Sequence, residues 1–308
     1  MIVALAGGVG AARFLEGLVQ VINPKNITVI VNTGDDLYLY GLYICPDLDT
    51  IMYNLAGIAN KTTGWGIQDD TFHCLSMLEK YGNEPWFKLG DKDFATHLLR
   101  THLLRRGIPL SEVTRLLCNF LEIDVNILPM TNQKVNTRVV TEQGVLDFQN
   151  YFVRYQETAV VKDVYFEGIK DATPVTGIIE TMESADGIII CPSNPIVSIQ
   201  PILKIPGILP ILKDAPVVGI SPIVGGVPLK GPADKLMQAF NIEVSAYGVA
   251  RYYATFIKTL IIDTVDTHLR PQIENLNIRA VATNTIMQSL DDKIALAKVA
   301  LQELNRLL

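Results

Sequence analysis

A chain of 308 residues with 49% apolar residues can bury a substantial core, as one large α/β domain or as a core carrying an inserted lobe, and disorder is excluded. Its formal charge of −6 speaks against a general nucleic-acid binder, which needs surplus Lys and Arg, while leaving room for a local basic pocket. No apolar run reaches the ~18 residues of a membrane span, no basic region precedes the N-terminal MIVALAGG, and Cys45, Cys74, Cys118 and Cys191 form no C-x-x-C pair, so the expectation is a soluble, cytoplasmic protein with reduced thiols.

The chain opens on strand and helix in alternation. Ile2 to Ala6 is a continuous apolar run suited to a buried parallel strand, and Phe14, Leu15, Leu18, Val19 and Ile22 then fall on one helical face. Ile27 to Val31 reads as a second buried strand ending in NTGDD. The right-handed crossover of this β-α-β unit brings the loops Gly7–Gly10 and Asn32–Asp36 to one edge of a sheet. From Pro46 to about Leu128 the pattern predicts a helical lobe, with Gly107 as a C-cap of FATHLLRTHLLRRG and Ser111 as the next N-cap. Asn136 to about Phe166 predicts a small antiparallel excursion with Gly144 as a hairpin tip. GIIICPSNP, APVVGISPIVGG, KTLIID and RAVATNT predict further core strands with helices between. The predicted architecture is a single α/β domain over 1–308: a Rossmann-type parallel sheet from core segments 1–45 and 170–308, with an inserted, mostly helical lobe and a small β part at about 46–169.

The glycine cluster Gly7, Gly8 and Gly10 sits between a strand and a helix, where anions bind. The dinucleotide fingerprint fails, because its third position falls on Arg13 and the second strand ends in Asn32 rather than a ribose-binding acid; no Gly-Lys-Ser/Thr follows for a Walker loop. Two readings stay open: backbone N–H groups at a helix N-terminus approaching an anion, with Arg13 as a charged donor, or a tight turn without ligand. Asp35, Asp36, Asp47 and Asp49 form two acidic pairs. Beside a phosphate loop they would repel the ligand unless Mg²⁺ intervened, held by one or two carboxylates and the phosphates; each could equally be a helix N-cap, Asp49 for a helix starting near Thr50. Trp65 in GWGIQDDTF, beside Lys88 and Asp91 of FKLGDKD, could stack on a planar ring or simply pack. Ser193, Asn194 and Pro195 mark a further helix N-terminus at the same sheet edge, and Ser221 in SPIVGG repeats that logic after the next strand, so three loops converge on a nucleotide crevice. His73, His97, His102 and His268 lack metal spacing, and His97 and His102 read as surface or hydrogen-bonded residues of an amphipathic helix.

Taken together, GGVGAARFLEGL, VNTGDD, PDLDT, GWGIQDDTF, KLGDKDFATHLLRT, CPSNPIVSIQPIL and SPIVGGVPLKGPADKLM resemble the 2-phospho-L-lactate transferase family, the CofD/FbiA enzymes of coenzyme F420 biosynthesis, in family order over nearly the whole chain. The resemblance implies a transferase moving a phospholactyl or related phospho-C3-acid group from a guanosine diphosphate-linked donor to the deazaflavin Fo, releasing GMP. It implies Mg²⁺ as the metal and a homodimer as the assembly, with no nucleic-acid or membrane partner. On this reading Asp49 and Lys88 meet Fo, Trp65 joins them, and Asp49 orients the attacking hydroxyl. Gly7, Gly8, Gly10, Arg13, Asn32, Ser193, Asn194, Pro195 and Ser221 line the guanylyl donor, and Asp35 and Asp36 are the metal candidates. Ala11 and Arg13 stand where many relatives carry Gly and Lys, which keeps the charge and changes its geometry. Lactyl, enolpyruvyl and glyceryl donors all remain open. One rival is a sugar-nucleotide-binding regulatory protein of a related branch, which the PDLDT, GWG and KLGD blocks disfavour. The other is a nicotinamide-dependent dehydrogenase, which the missing third glycine disfavours.

Overall fold

The computed structural model describes residues 1–229 and 231–308. The two unbroken apolar runs become strands with the predicted bounds: β1 (Ile2–Ala6) and β2 (Ile27–Val31) pair in parallel, Ile2 opposite Ile27 and Ala6 opposite Val31. Between them α1 (Gly8–Leu18) turns Phe14, Leu15 and Leu18 inward. Both faces of the sheet are covered, so alternate residues feed different cores: Val3 and Leu5 face one side, Ala4 and Ala6 the other. This is why the strands read as continuous rather than alternating apolar runs.

After β2 comes a hairpin of β3 (Leu37–Leu39) and β4 (Leu42–Ile44), then α2 (Pro46–Leu55), α3 (His73–Lys80), α4 (Asp91–Arg105) and α5 (Leu110–Phe120). α4 ends as predicted, with Gly107 at φ +80 just past its C-cap. α5 starts one residue before Ser111, with Pro109 at the cap position; the Ser111 N–H donates to the Asn132 side chain instead.

The segment expected as one insertion contains a core strand. β5 (Asn126–Pro129) pairs in parallel with β2, so the chain makes two excursions, one on each side of β5. The second holds the predicted antiparallel sheet: β6 (Asn136–Thr141), β7 (Gly144–Asp147) and β8 (Val161–Glu167), with Thr141 opposite Gly144 at the hairpin. The core returns with β9 (Gly187–Ile190) and β10 (Val217–Ile220), followed by a two-residue ladder of β11 (Ile223–Val224) with β12 (Val227–Pro228), then β13 (Thr259–Asp263) and β14 (Arg279–Thr283).

The central sheet is parallel and runs β14-β13-β10-β9-β1-β2-β5. In order of appearance this is the doubly wound dinucleotide-fold arrangement extended by one strand, and the order reverses between β1 and β9. Ligands of such sheets bind outside the carboxyl ends of the strands at that reversal. Among the described residues no single helix is long and apolar enough to cross a membrane.

Candidate functional site

A cleft of about 740 Å³ opens at this reversal point. One wall is the turn after β1, where Gly7, Gly8, Gly10 and Arg13 face the space, and the other is the turn after β9, lined by Pro192, Ser193 and Asn194. The Gly7 N–H donates to Ser193 Oγ at 3.2 Å and ties the two turns together. Their approach demands glycine: a Cβ on Gly10 would stand 2.1 Å from the Pro192 carbonyl oxygen, and one on Gly7 would stand 2.6 Å from Asp47 Oδ2. Asn194 caps the helical turn Pro195–Ile199 by accepting the Ile196 N–H at 3.0 Å.

Four of the predicted nucleotide and metal residues serve the scaffold rather than the cleft surface. Asn32 is buried, donates to Asp47 Oδ2 at 2.9 Å and accepts the Gly34 N–H at 2.8 Å. Pro195 is buried in the helical turn that Asn194 caps. Ser221 accepts the Ile223 N–H at 3.2 Å and leads into the β11–β12 hairpin, so no helix N-terminus follows β10; Gly225 and Gly226, at φ +58 and +79, turn the chain back instead. Asp36 is enclosed away from the cleft, where its Oδ2 accepts the Tyr43 hydroxyl at 2.9 Å, and burial pushes its carboxyl well above the ordinary value.

The acidic pairs therefore sort differently from the sequence expectation. Asp35, Asp47 and Asp49 line the cleft. Burial raises Asp35 well above the usual carboxylate range, and the nearby Asp47 charge adds to the rise; its Oδ1 is buried without a hydrogen-bond partner. Burial also lifts Asp47 to about 6, against hydrogen bonds from the Asn32 amide and the Gly8 N–H. Because that value lies above an unfolded aspartate's, the folded state keeps a proton that the unfolded chain has released between about pH 4 and 6, and this contribution to stability is lost as pH rises through 6. In buffer with a chelator, Asp47→Asn is expected to melt above the parent at about pH 7.5, with the gap shrinking as pH falls below about 5. A variant that melts below the parent at the higher pH would contradict this.

Asp49 is not a helix cap. α2 begins at Pro46 with Cys45 at the cap position, and Asp49 lies in its first turn with both carboxylate oxygens held by Arg100, one at 3.0 Å from Nη1. Arg100 is 1% exposed, and the Asp49 charge holds its guanidinium well above its ordinary value despite burial. The chain of contacts continues along α4. Arg100 Nη1 lies 3.2 Å from His97 Nδ1, His97 Nε2 lies 3.2 Å from Asp93 Oδ1, and the Tyr53 hydroxyl donates to the same oxygen at 2.7 Å. Burial pushes Asp93 up, but His97, Tyr53 and Arg100 outweigh it and hold the carboxyl below its usual value. His97 is thus 1% exposed and lines the cleft, while His102 is on the surface. Asp93, His97 and Arg100 sit at i, i+4 and i+7, a spacing that places them on one helix face and would have been the sequence signal.

The far side of the cleft carries Trp65, 42% exposed at the rim, with Phe87 and Lys88 before α4 and the stacked pair Phe148 and Phe152, whose centroids are 5.6 Å apart. The phenylalanines come from the small antiparallel excursion, which thereby contributes to the cleft. Among the described residues, Arg13 and Lys88 are the Arg or Lys side chains facing the cleft, and neither has an ion pair there.

The described residues contain no group of three or more His, Cys, Asp or Glu suited to a metal. Asp35 and Asp47 fit Mg²⁺ as a pair: both carboxylates are raised by burial, Asp35 further by the Asp47 charge, and Asp35 Oδ1 lacks a partner, beside the glycine turn after β1. Such a cation needs one or two carboxylates, with ligand phosphates and water completing its shell.

Comparison with known proteins places these features in a family. The family described as 2-phospho-L-lactate transferase CofD matches residues 2–299. A phosphoenolpyruvate transferase of Streptomyces griseus is 44% identical, covering 98% of this chain and 97% of that protein. A 2-phospho-L-lactate transferase of Methanothermobacter thermautotrophicus is 39% identical, covering 99% and 98%, and one of Methanosarcina acetivorans is 40% identical, covering 96% of each. A crystal structure of a UPF0052 family member from Bacillus halodurans superposes with a TM-score of 0.64 at 16% identity, covering 97% of this chain and 99% of that one, a likeness of fold.

Proposed function

This chain belongs to the 2-phospho-L-lactate transferase CofD family, and we propose that it moves a phospholactyl or related phospho-C3-acid group from a guanosine diphosphate-linked donor to the deazaflavin Fo, releasing GMP in coenzyme F420 biosynthesis. It is an enzyme of that transferase family; relatives carry both the phosphoenolpyruvate and the phospho-L-lactate names, so the C3 acid is the open choice. The observation that carries the reading is the convergence in one cleft of the α1 N-terminus, the unpaired Arg13 and Lys88, and the carboxylates Asp35, Asp47 and Asp49. An anionic ligand suits the first two features, and a cation-bridged diphosphate suits all three.

In this reading the donor diphosphate lies along the Gly7–Gly10 turn, where backbone N–H groups and Arg13 offset its charge. Asp35 and Asp47 would hold Mg²⁺, which when bound supplies charge neutralisation to the diphosphate. The deazaflavin occupies the aromatic side, with Trp65 against the ring and Lys88 nearby. Asp49 orients the terminal ribityl hydroxyl. That oxygen forms the new bond to the phosphorus carrying the C3 acid, the bond from this phosphorus to the bridging oxygen breaks, GMP departs with that oxygen, and the proton of the attacking hydroxyl is released to solvent. Positioning and electrostatics carry such a transfer. The active unit is proposed to be a homodimer.

Guanosine diphosphate with Mg²⁺ is expected to raise the melting temperature, because a ligand at ~100 times its dissociation constant adds about 2.7 kcal/mol to the folded state. NAD and UDP-sugars are expected to leave it unchanged. Stabilisation by a UDP-sugar without any by guanosine diphosphate would favour a sugar-nucleotide-binding regulator, and stabilisation by NAD a dehydrogenase.

A further inference from the structure

We propose that Arg100 and His97 are positioning residues for the transfer: His97, accepting at Nδ1, holds the Arg100 guanidinium in the orientation that occupies both oxygens of Asp49. The proposal rests on the reading of Asp49 given above. Its geometry is a continuous buried chain. Arg100 Nη1 is 3.0 Å from Asp49 Oδ2 and 3.2 Å from His97 Nδ1, and His97 Nε2 is 3.2 Å from Asp93 Oδ1, which also accepts the Tyr53 hydroxyl. A guanidinium can only donate, so the ring nitrogen facing it must accept; the imidazole proton is left on the Asp93 side. Asp93, held by the Tyr53 hydroxyl, lies 3.2 Å from Nε2 and favours a proton on that edge of the ring, as a carboxylate behind a histidine does elsewhere.

The consequence concerns how Asp49 works. With both oxygens engaged by the buried guanidinium, Asp49 acts by directing its remaining lone pairs at the ligand hydroxyl, and their direction is set by the guanidinium. Its aim then depends on Arg100, and the aim of Arg100 depends on a hydrogen-bond acceptor at the position of His97 Nδ1.

Two amide variants separate this role from mere packing. In His97→Asn the amide oxygen can replace Nδ1 and still accept from Arg100, while the donor to Asp93 is lost. In His97→Gln the amide NH2 can replace Nε2 and keep Asp93, while the acceptor for Arg100 is lost. Turnover numbers, the Michaelis constant for Fo and melting temperatures are measured for both, beside Asp49→Asn. The expected result is that His97→Gln loses about ten times more kcat than His97→Asn at comparable melting temperatures. Equal losses, or a greater loss in His97→Asn, would overturn the proposal. An Asp49→Asn enzyme with the parental rate would instead overturn the reading of Asp49 itself. Should either amide variant fail to fold, the imidazole nitrogen resonances of the intact protein decide: a bare Nδ1 and protonated Nε2 on His97 support the proposal, and a protonated Nδ1 contradicts it.

Discussion

Asp49→Asn is expected to slow transfer to Fo by roughly 10²-fold, the scale for a misplaced reacting group, while leaving guanosine diphosphate affinity nearly intact. The residue stands in the first turn of α2 and lines the same cleft as the glycine turn that the donor is proposed to occupy. An amide there has one acceptor oxygen instead of two and no charge, so it cannot both satisfy Arg100 and orient a hydroxyl. Stability falls as well. Removing one member of a buried ion pair leaves the other uncompensated, a loss of about 3–5 kcal/mol. The double variant Asp49→Asn with Arg100→Gln removes both charges, and it is expected to regain most of the melting temperature without regaining the rate. Single-turnover transfer measured beside melting curves separates the two effects, and recovery of the rate along with stability would reduce Asp49 to a structural residue.

Gly10→Ala is expected to abolish nucleotide binding. The added methyl would sit 2.1 Å from the Pro192 carbonyl oxygen, a backbone atom that cannot swing aside as a flexible side chain could. The turn after β1 has to move away from the turn after β9, which breaks the bond from Gly7 N–H to Ser193 Oγ and widens the reversal point where the diphosphate is proposed to lie. Gly8→Ala meets less obstruction, its nearest contact being Asp47 Oδ1 at 3.7 Å, but places alanine at φ +71, a strain of about 1–2 kcal/mol. Calorimetric titration with guanosine diphosphate and Mg²⁺ should therefore give no measurable binding for Gly10→Ala and weakened binding for Gly8→Ala. Parental affinity in Gly10→Ala would mean that the nucleotide does not use this turn.

Much of the core was legible because its strands are buried on both faces. Ile2–Ala6 and Ile27–Val31 keep the bounds of their apolar runs, and the strands after residue 186 follow the same rule. β5 was not legible: Asn126–Pro129 is four residues long, lies at the sheet edge and ends in proline, so it read as the tail of a helical stretch. At the cleft, glycines at a strand end announced a turn that only small residues can build. Polar residues after strands were ambiguous, since Asn32 and Ser221 spend their hydrogen bonds on their own loops, as short polar side chains do in turns. The buried role of Asp93, His97 and Arg100 is hidden in the sequence for a different reason, and His97 reads there as a surface or hydrogen-bonded residue. An amphipathic helix with charged residues at i, i+4 and i+7 looks like a solvated face, and only the packing of α4 beneath the cleft turns that face inward.

The most direct test of the account is mass spectrometry of the products formed by the purified protein from Fo, Mg²⁺ and guanosine diphosphate-linked lactate, enolpyruvate or glycerate, each donor in turn. The expected result is one deazaflavin product bearing the phospho-C3 acid, with one equivalent of GMP, from at least one donor. Unmodified Fo with all three donors, from protein that still melts cooperatively and binds guanosine diphosphate, would contradict the assignment.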